Sequence, residues 1–319
     1  MKIAFIIDPL PGLDPGHDTS VALMEAAQLR GHDVWVTGLS ELSVIDGAAW
    51  ASLQSVTLTP VELVDDRWQI PQPWYQVGEL QALPLSEFGA VFMRVDPPVT
   101  IPYLYATYIL DLAQTTGVKV VNSPQGLRAA NEKMYALQFE SVIPRTIVSQ
   151  DKAVIKQFLA EEKKAVLKPL GGKGGEGILL IEEGDRNFNS LIEISTQRGQ
   201  EPVMVQRFLP EAKDGDKRVI LLNGEPIGAV NRVPTGKEFR GNMAVGGRAE
   251  KADITARDRE ISAAVAGTLQ RDQLYFVGLD VIGGYLTEVN VTSPTGVREI
   301  DRFNQSRIGD LVISSLEDA

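Results

Sequence analysis

Asp280, Glu288 and Asn290 fall in one stretch, LYFVGLDVIGGYLTEVNVTSPT at 274–295, that reads as two apolar strands joined by a glycine turn. Glu288 and Asn290 are two apart on a strand, so both leave the same face while Val289 and Val291 go to the other. Carboxylate and amide oxygens suit a hard cation such as Mg²⁺, which completes its shell with waters and nucleotide phosphates. Asp280 joins that face only under a geometric condition. Across a plain two-residue turn at Gly283-Gly284 it would face Thr287, and Glu288 would point to the opposite side of the sheet. An odd-numbered loop or a β-bulge is therefore expected in this hairpin.

A second cluster suggests phosphates. AVLKPL at 165–170 reads as a strand carrying Lys168, and it runs into the loop GGKGGEG at 171–177. From Gly172 the loop satisfies G-x-G-x-x-G, but a dinucleotide fold requires a helix next, and ILLI at 178–181 is another strand. Strand, glycine loop, strand makes a flap whose backbone N–H groups can close over phosphates, unless it is only a loose hairpin tip. Lys133, on an earlier helix, and Lys168 are placed to neutralise phosphate charge, although either alone reads equally as a solvated lysine. VMVQRFLP at 203–210 reads as a buried strand becoming a connector, able to offer backbone groups to an adenine edge. Walker A, H-R-D and D-F-G elements are missing, so neither a P-loop protein nor a protein kinase is indicated.

Arginines supply the third set. Arg94 follows the strand FGAVFM at 88–93, where a bidentate fork suits a substrate carboxylate, the alternative being an ion pair with Asp96. Arg218 sits on the first strand of a hairpin turned at Asn223-Gly224. The loop RVPTGKEFRGNMAVGGR at 232–248 carries Arg232, Arg240, Asn242, Gly246, Gly247 and Arg248. That is too polar for a core, and it reads as a mobile loop over an anionic substrate rather than a plain surface excursion.

The elements that must position these groups begin with a βαβ unit: a strand at 3–7, a helix capped by Asp18 or Thr19 and ended near Gly31, and a strand at 33–37. Such a unit predicts a parallel sheet with ligands beyond the carboxyl ends of its strands, where Asp8 and the 12–20 loop lie; capping and turning alone would also explain Asp8 and Asp18. Residues 40–87 give weak signals and read as an irregular, partly β excursion. A helix at 103–116, a strand at 118–121, two short helices to 139, a strand at 143–149 and a helix from Asp151 to about 162 follow. The C-terminal part adds the hairpin at 216–230 and a helix at about 255–269. Domains are expected at 1–122, 123–199 and 200–319.

Composition excludes several classes. The 319 residues carry 42 acidic and 31 basic side chains, a net charge of −11, which opposes general binding to nucleic acid or an anionic membrane. With no cysteine there is no disulfide, thiolate zinc site or cysteine nucleophile. Only His17 and His32 offer imidazoles, both expected at the surface, and no G-x-S-x-G occurs, so a Ser-His-Asp hydrolase is not indicated. A short apolar N-terminus and the lack of a bilayer-length apolar run favour a cytoplasmic protein.

These parts together resemble the ATP-grasp carboxylate–amine ligases, and along the whole chain the prokaryotic-type glutathione synthetases. The resemblance rests on MRVDPP at 93–98, YATYIL at 105–110, DGDKRV at 214–219, RGN at 240–242 with GGR at 246–248, FVGLD at 276–280 and TEVNVTSPT at 287–295. It implies an N-terminal parallel α/β domain followed by an ATP-grasp fold of two α+β lobes. The implied substrates are ATP, γ-glutamylcysteine and glycine, the cofactor Mg²⁺ with Mn²⁺ as a substitute, and the assembly a homotetramer. By motif position Lys133, Lys168, Gly172, Lys173, Gly174 and Gly175 would bind ATP phosphates and Gln206, Arg207, Phe208 and Leu209 the adenine. Asp280, Glu288 and Asn290 would hold metal, and Arg218, Arg232 and Arg240 would be catalytic. Arg94, Asn242, Gly246, Gly247, Arg248 and Arg298 would contact substrate. The rival readings are a ligase joining other amino acids and a non-catalytic ATP sensor; retention of both Asp280 and Glu288 opposes the sensor.

Overall fold

A computed structural model describes residues 1–235, 241 and 246–317. The βαβ opening forms as expected. Strand Lys2–Ile6 pairs in parallel with Asp33–Thr37 on one side and Ala90–Met93 on the other, and Ala90–Met93 pairs in parallel with Lys119–Val121. The intervening helix Thr19–Leu29 starts where Asp18 Oδ1 accepts the Val21 N–H at 2.9 Å, relieving one of the unpaired donors of the first turn.

The 40–87 region is more regular than its sequence suggests. Ala48–Leu58 is an eleven-residue strand that pairs with Asp33–Thr37, Leu42–Ile45 and Tyr75–Pro84. Ala49, Ala51 and Leu53 face inward, with the half-buried Trp50 and Ser52 between them. The alternation was there, but small alanines and the surrounding tryptophans and prolines gave it a weak apolar signal.

Two antiparallel sheets with their own helices follow. In the first the order is Thr146–Ser149, Val203–Arg207, Lys164–Pro169, Leu179–Glu182. Helices Lys152–Glu162 and Phe188–Ser195 bury Ile155, Phe158, Leu159 and Ile192 against Leu167, Ile181 and Val205 in a separate small core. Val203–Arg207 is an inner strand of this sheet, although it lies beyond the boundary expected at 199/200; hydrogen bonding on both edges ties it to Thr146–Ser149 and Lys164–Pro169 rather than to the sheet after it. In the second sheet the order is Arg248–Lys251, Glu225–Val233, Asp216–Leu222, Phe276–Ile282, Tyr285–Asn290. Its apolar face continues into the core of the first domain, where Val219, Leu279 and Val289 share a cluster with Val91, Tyr103 and Leu127. The second sheet is thereby fixed to the first domain. Among the described residues no helix is long and apolar enough to cross a membrane.

Candidate active site

The hairpin meets its geometric condition through a bulge. Gly283 and Gly284 form a two-residue turn, with φ of 57° and 78°, a left-handed pair that side-chain-bearing residues rarely adopt. The ladder then slips: Ile282 faces Tyr285 and Val281 faces Leu286, but Asp280 faces Glu288 and Gly278 faces Asn290. Thr287 is the extra residue, and its hydroxyl donates to the Asp280 carbonyl at 3.2 Å. The slip returns Asp280, Glu288 and Asn290 to one face, and all three line a single cleft of about 580 Å³.

Buried charges surround Asp280. Arg218 donates from Nε to Asp280 Oδ1 at 2.5 Å and from Nη2 to Oδ2 at 3.0 Å. Arg232 Nη2 reaches Asp280 Oδ2 at 3.0 Å and Asp216 Oδ2 at 2.6 Å. Burial opposes ionisation of Asp280, yet the two guanidiniums override it and hold the carboxyl well below the usual carboxylate range. Asp216 behaves oppositely: burial and the Asp280 charge push it up against the pull of Arg232 and Arg218. Each carboxylate oxygen has two lone pairs; Oδ2 takes two arginine contacts and Oδ1 one, so among the described residues Oδ1 keeps acceptor capacity for a cation.

The flap closes one side of the cleft. Lys164–Pro169 pairs antiparallel with Leu179–Glu182, and the loop between turns through Gly174, Gly175 and Gly177 at φ of 58°, 86° and 66°. Lys133 Nζ donates to the Gly172 carbonyl at 2.7 Å and contacts Glu288 Oε1 at 2.9 Å, linking flap to acidic strand. Lys168 Nζ donates to Gln206 Oε1 at 2.9 Å. Burial draws the Lys168 ammonium below the usual lysine range; Glu288 opposes this and Lys133 adds to it. A polyanion arriving between the two lysines would reverse that shift. Lys173 reaches across the cleft to Asp96 at 3.2 Å.

Most of the residues expected at a site therefore meet. Lys133, Lys168, Gly172, Lys173, Gly174, Gly175, Gln206, Arg207, Phe208, Leu209, Arg218, Arg232, Asp280, Glu288 and Asn290 all line the cleft. Five expected substrate contacts are placed otherwise. Arg94 donates to Ser20 Oγ at 3.2 Å and to the Pro294 carbonyl at 2.9 Å, a buried clamp rather than a ligand contact or a partner of Asp96. Arg298 donates to the Pro15 carbonyl at 2.9 Å and pairs with Glu25 at 2.8 Å, so its charge is spent inside the fold. Arg248, on an outer strand, is exposed and pairs with Glu250; it and the neighbouring Gly246 and Gly247 are away from the cleft lining. Arg240 and Asn242 lie outside the described residues.

Among the lining residues that sequence reasoning missed, three bear most on the site. Asp216 is two positions before Arg218 on the same strand face, a period-two signal that was legible. Glu132, beside Lys133, accepts from Val291 N, Thr292 N and Thr292 Oγ1 at 2.9–3.0 Å and ties the exit of the acidic strand to the lysine's helix. His17, expected at the surface, lies in the cleft wall.

Known proteins give the same picture. The descriptions of the prokaryotic glutathione synthetase N-terminal domain and of its ATP-grasp domain match residues 1–128 and 132–305. A glutathione synthetase of Synechococcus elongatus is 66% identical over 317 residues, covering 99% of this chain and 98% of that protein. One of Gloeobacter violaceus is 49% identical, covering 99% and 96%. Among solved structures, the ATP-grasp ligase PsnB complexed with minimal precursor aligns with a TM-score of 0.64 at 18% identity, covering 99% of this chain and 98% of that one. The D-cycloserine synthetase DcsG aligns with a TM-score of 0.64 at 15% identity, covering 98% and 100%. At those identities the structural likeness is one of fold.

Proposed function

We propose a function on one premise: the chain belongs to the family of prokaryotic glutathione synthetases. It is an ATP-dependent carboxylate–amine ligase that joins γ-glutamylcysteine to glycine, giving glutathione, ADP and phosphate. The observation that carries this reading is the single cleft in which the flap and its two lysines face Asp280, Glu288 and the buried arginines.

A carboxylate is a poor electrophile, so it must first be activated. An oxygen of the cysteinyl carboxylate attacks the γ-phosphorus of ATP, ADP leaves, and an acyl phosphate forms. The glycine amine then attacks the carbonyl carbon, phosphate departs with the acyl oxygen, and the amine releases a proton. Within this scheme Lys133 and Lys168 neutralise the nucleotide phosphates, and residues 171–177 cover them. Arg218 and Arg232, together with Arg240, offset the negative charge that develops on the transferred group. Cover by the flap keeps water from the acyl phosphate, which would otherwise hydrolyse.

Asp280, Glu288 and Asn290 are the groups suited to hold Mg²⁺: they share the cleft face of the hairpin, and among the described residues Asp280 Oδ1 keeps one lone pair. Bound there, the ion would screen phosphate charge and polarise the group being transferred. Mn²⁺ as a substitute, a homotetrameric assembly and a cytoplasmic location belong to the same proposal. The test is ADP release with ATP and Mg²⁺: it should require γ-glutamylcysteine and reach full rate only with glycine. Equal rates with other dipeptides or amines would favour a ligase of different specificity.

A further inference from the structure

The cleft has two chemically different ends. Lysines and arginines dominate the flap and sheet side, whereas the wall contributed by the first domain carries Asp14, Asp18 and Asp96, with His17 as its cation among the described residues. The imidazole is held firmly. Its Nδ1 lies 2.6 Å from Glu299 Oε1, and that carboxylate is 7% exposed at the start of helix Val297–Asn304. Arg298 braces the same loop through the Pro15 carbonyl, and its own carbonyl accepts from Trp68 Nε1 at 3.2 Å. Backbone bonds from His17 N and Asp18 N to the Asp14 carbonyl, at 3.0 and 2.7 Å, fix the turn.

With Nδ1 directed at the Glu299 carboxylate, Nε2 is the ring nitrogen left for a ligand, and it becomes a donor when the ring takes its second proton. Among the described residues no protein group contacts Nε2, while part of the side chain, 39% exposed, faces open space. The hydrogen bond to Glu299 outweighs burial and, with the Glu299, Asp14 and Asp18 charges, raises the imidazole's affinity for its second proton. In its protonated form the ring is one anchored cation among the carboxylates of Asp14 and Asp18. Asp18 and Asp14 each spend one oxygen on the backbone, to Val21 N and Gly16 N, and keep the other.

That arrangement complements the free end of one substrate. We propose that His17 recognises the α-carboxylate of the γ-glutamyl head, with Asp14 and Asp18 facing its α-ammonium. The inference rests on the ligase reading above and deepens it. The reacting cysteinyl carboxylate belongs at the Arg218 and Arg232 end, so the dipeptide's other carboxylate and its only ammonium need partners elsewhere. A γ-linked glutamate differs from an ordinary peptide N-terminus in carrying both charges on one carbon. A cation flanked by carboxylates reads that difference, because each charge finds an opposite partner only in the γ-linked form.

Steady-state kinetics test this with γ-glutamylcysteine and two analogues, 4-aminobutyrylcysteine, which lacks the α-carboxylate, and glutarylcysteine, which lacks the α-amine. His17→Gln should raise KM for γ-glutamylcysteine by about 10- to 100-fold, the worth of a charge-assisted hydrogen bond, with KM for ATP and glycine unchanged. With 4-aminobutyrylcysteine, wild type and His17→Gln should have equal KM. Glutarylcysteine should retain the His17→Gln penalty. His17→Lys, which keeps a cation, should recover most of the affinity and guards against misfolding of the glutamine variant. An unchanged dipeptide KM, or an equal penalty with the analogue lacking the carboxylate, overturns the assignment. Wild-type enzyme that releases no ADP with γ-glutamylcysteine and glycine overturns the ligase reading itself, which separates the two failures.

Discussion

Arg232→Met tests the charge balance beneath the cleft. The guanidinium is 4% exposed and serves two carboxylates, Asp216 and Asp280, while Arg218 serves Asp280 alone. Among the described residues two guanidiniums thus face two carboxylates in a place water barely reaches. Methionine keeps most of the apolar stem but leaves two buried carboxylates with one guanidinium. Removing one partner of a buried pair costs about 3–5 kcal/mol. Asp216 can relieve part of this by taking a proton, since burial and Asp280 already push it that way, so the lower end, about 3 kcal/mol, is the expected loss. With an unfolding entropy of about 2.1 cal/mol/K per residue, melting of the whole chain should fall by roughly 4–5 °C, and by more if the C-terminal lobe melts alone. Calorimetry at neutral pH reads this directly. Adding Asp216→Asn to the variant should return about 1–2 kcal/mol, because it removes the uncompensated anion. Mg²⁺ should raise the melting temperature of Arg232→Met more than that of the parent. Melting within about 1 °C of the parent, with normal turnover, would refute the charge-balance reasoning.

Other outcomes are equally specific. Burial pushes the Asp301 carboxyl up to about 6 from 3.8, although Ile308 N and Ser306 Oγ donate to it. A raised folded value stabilises below the unfolded value and is lost as pH rises through 6, so about 2–3 kcal/mol should disappear between pH 4 and 7 from this group. Asp301→Asn should resist urea better than the parent at pH 8, with the margin closing near pH 4; a margin that grows on acidification would contradict the sign. Glu132→Ala removes three hydrogen bonds from Val291 and Thr292 and should raise the Mg²⁺ concentration for half-maximal ADP release by about 10-fold, with Glu132→Gln recovering much of it. Arg240→Ala should lower ligation by about 100-fold while leaving ATP binding, measured by calorimetry, nearly intact; unchanged turnover would remove its proposed role.

The flap and the acidic hairpin were legible because their signals are local. Glycines between two strand-like runs and alternating carboxylates need no distant partner to be read. The bulge was legible too, as a parity requirement. What sequence could not supply was the direction of long side chains. Arg94 and Arg298 looked like ligand contacts, yet their hydrogen bonds run to Ser20, Pro294 and Pro15, each far along the chain. His17 failed for the same reason, since Glu299, which holds it, is 282 positions away. A polar residue near a helix start looks exposed until the partner that buries one side of it is known. The strand Ala48–Leu58 was obscured differently, because its first two inward residues are alanines and its alternation slips between Gln54 and Val56.

The slip between Asp280 and Val281 gives the hairpin an arithmetic of insertions. Adding or deleting one residue between Asp280 and Glu288 would turn the second carboxylate into the packed face, where Leu279 and Val289 lie, whereas a change of two would return it to the cleft. Length variants of this segment should therefore survive in even steps and fail in odd ones, and a graft of the acidic hairpin onto another sheet must carry Thr287 with it.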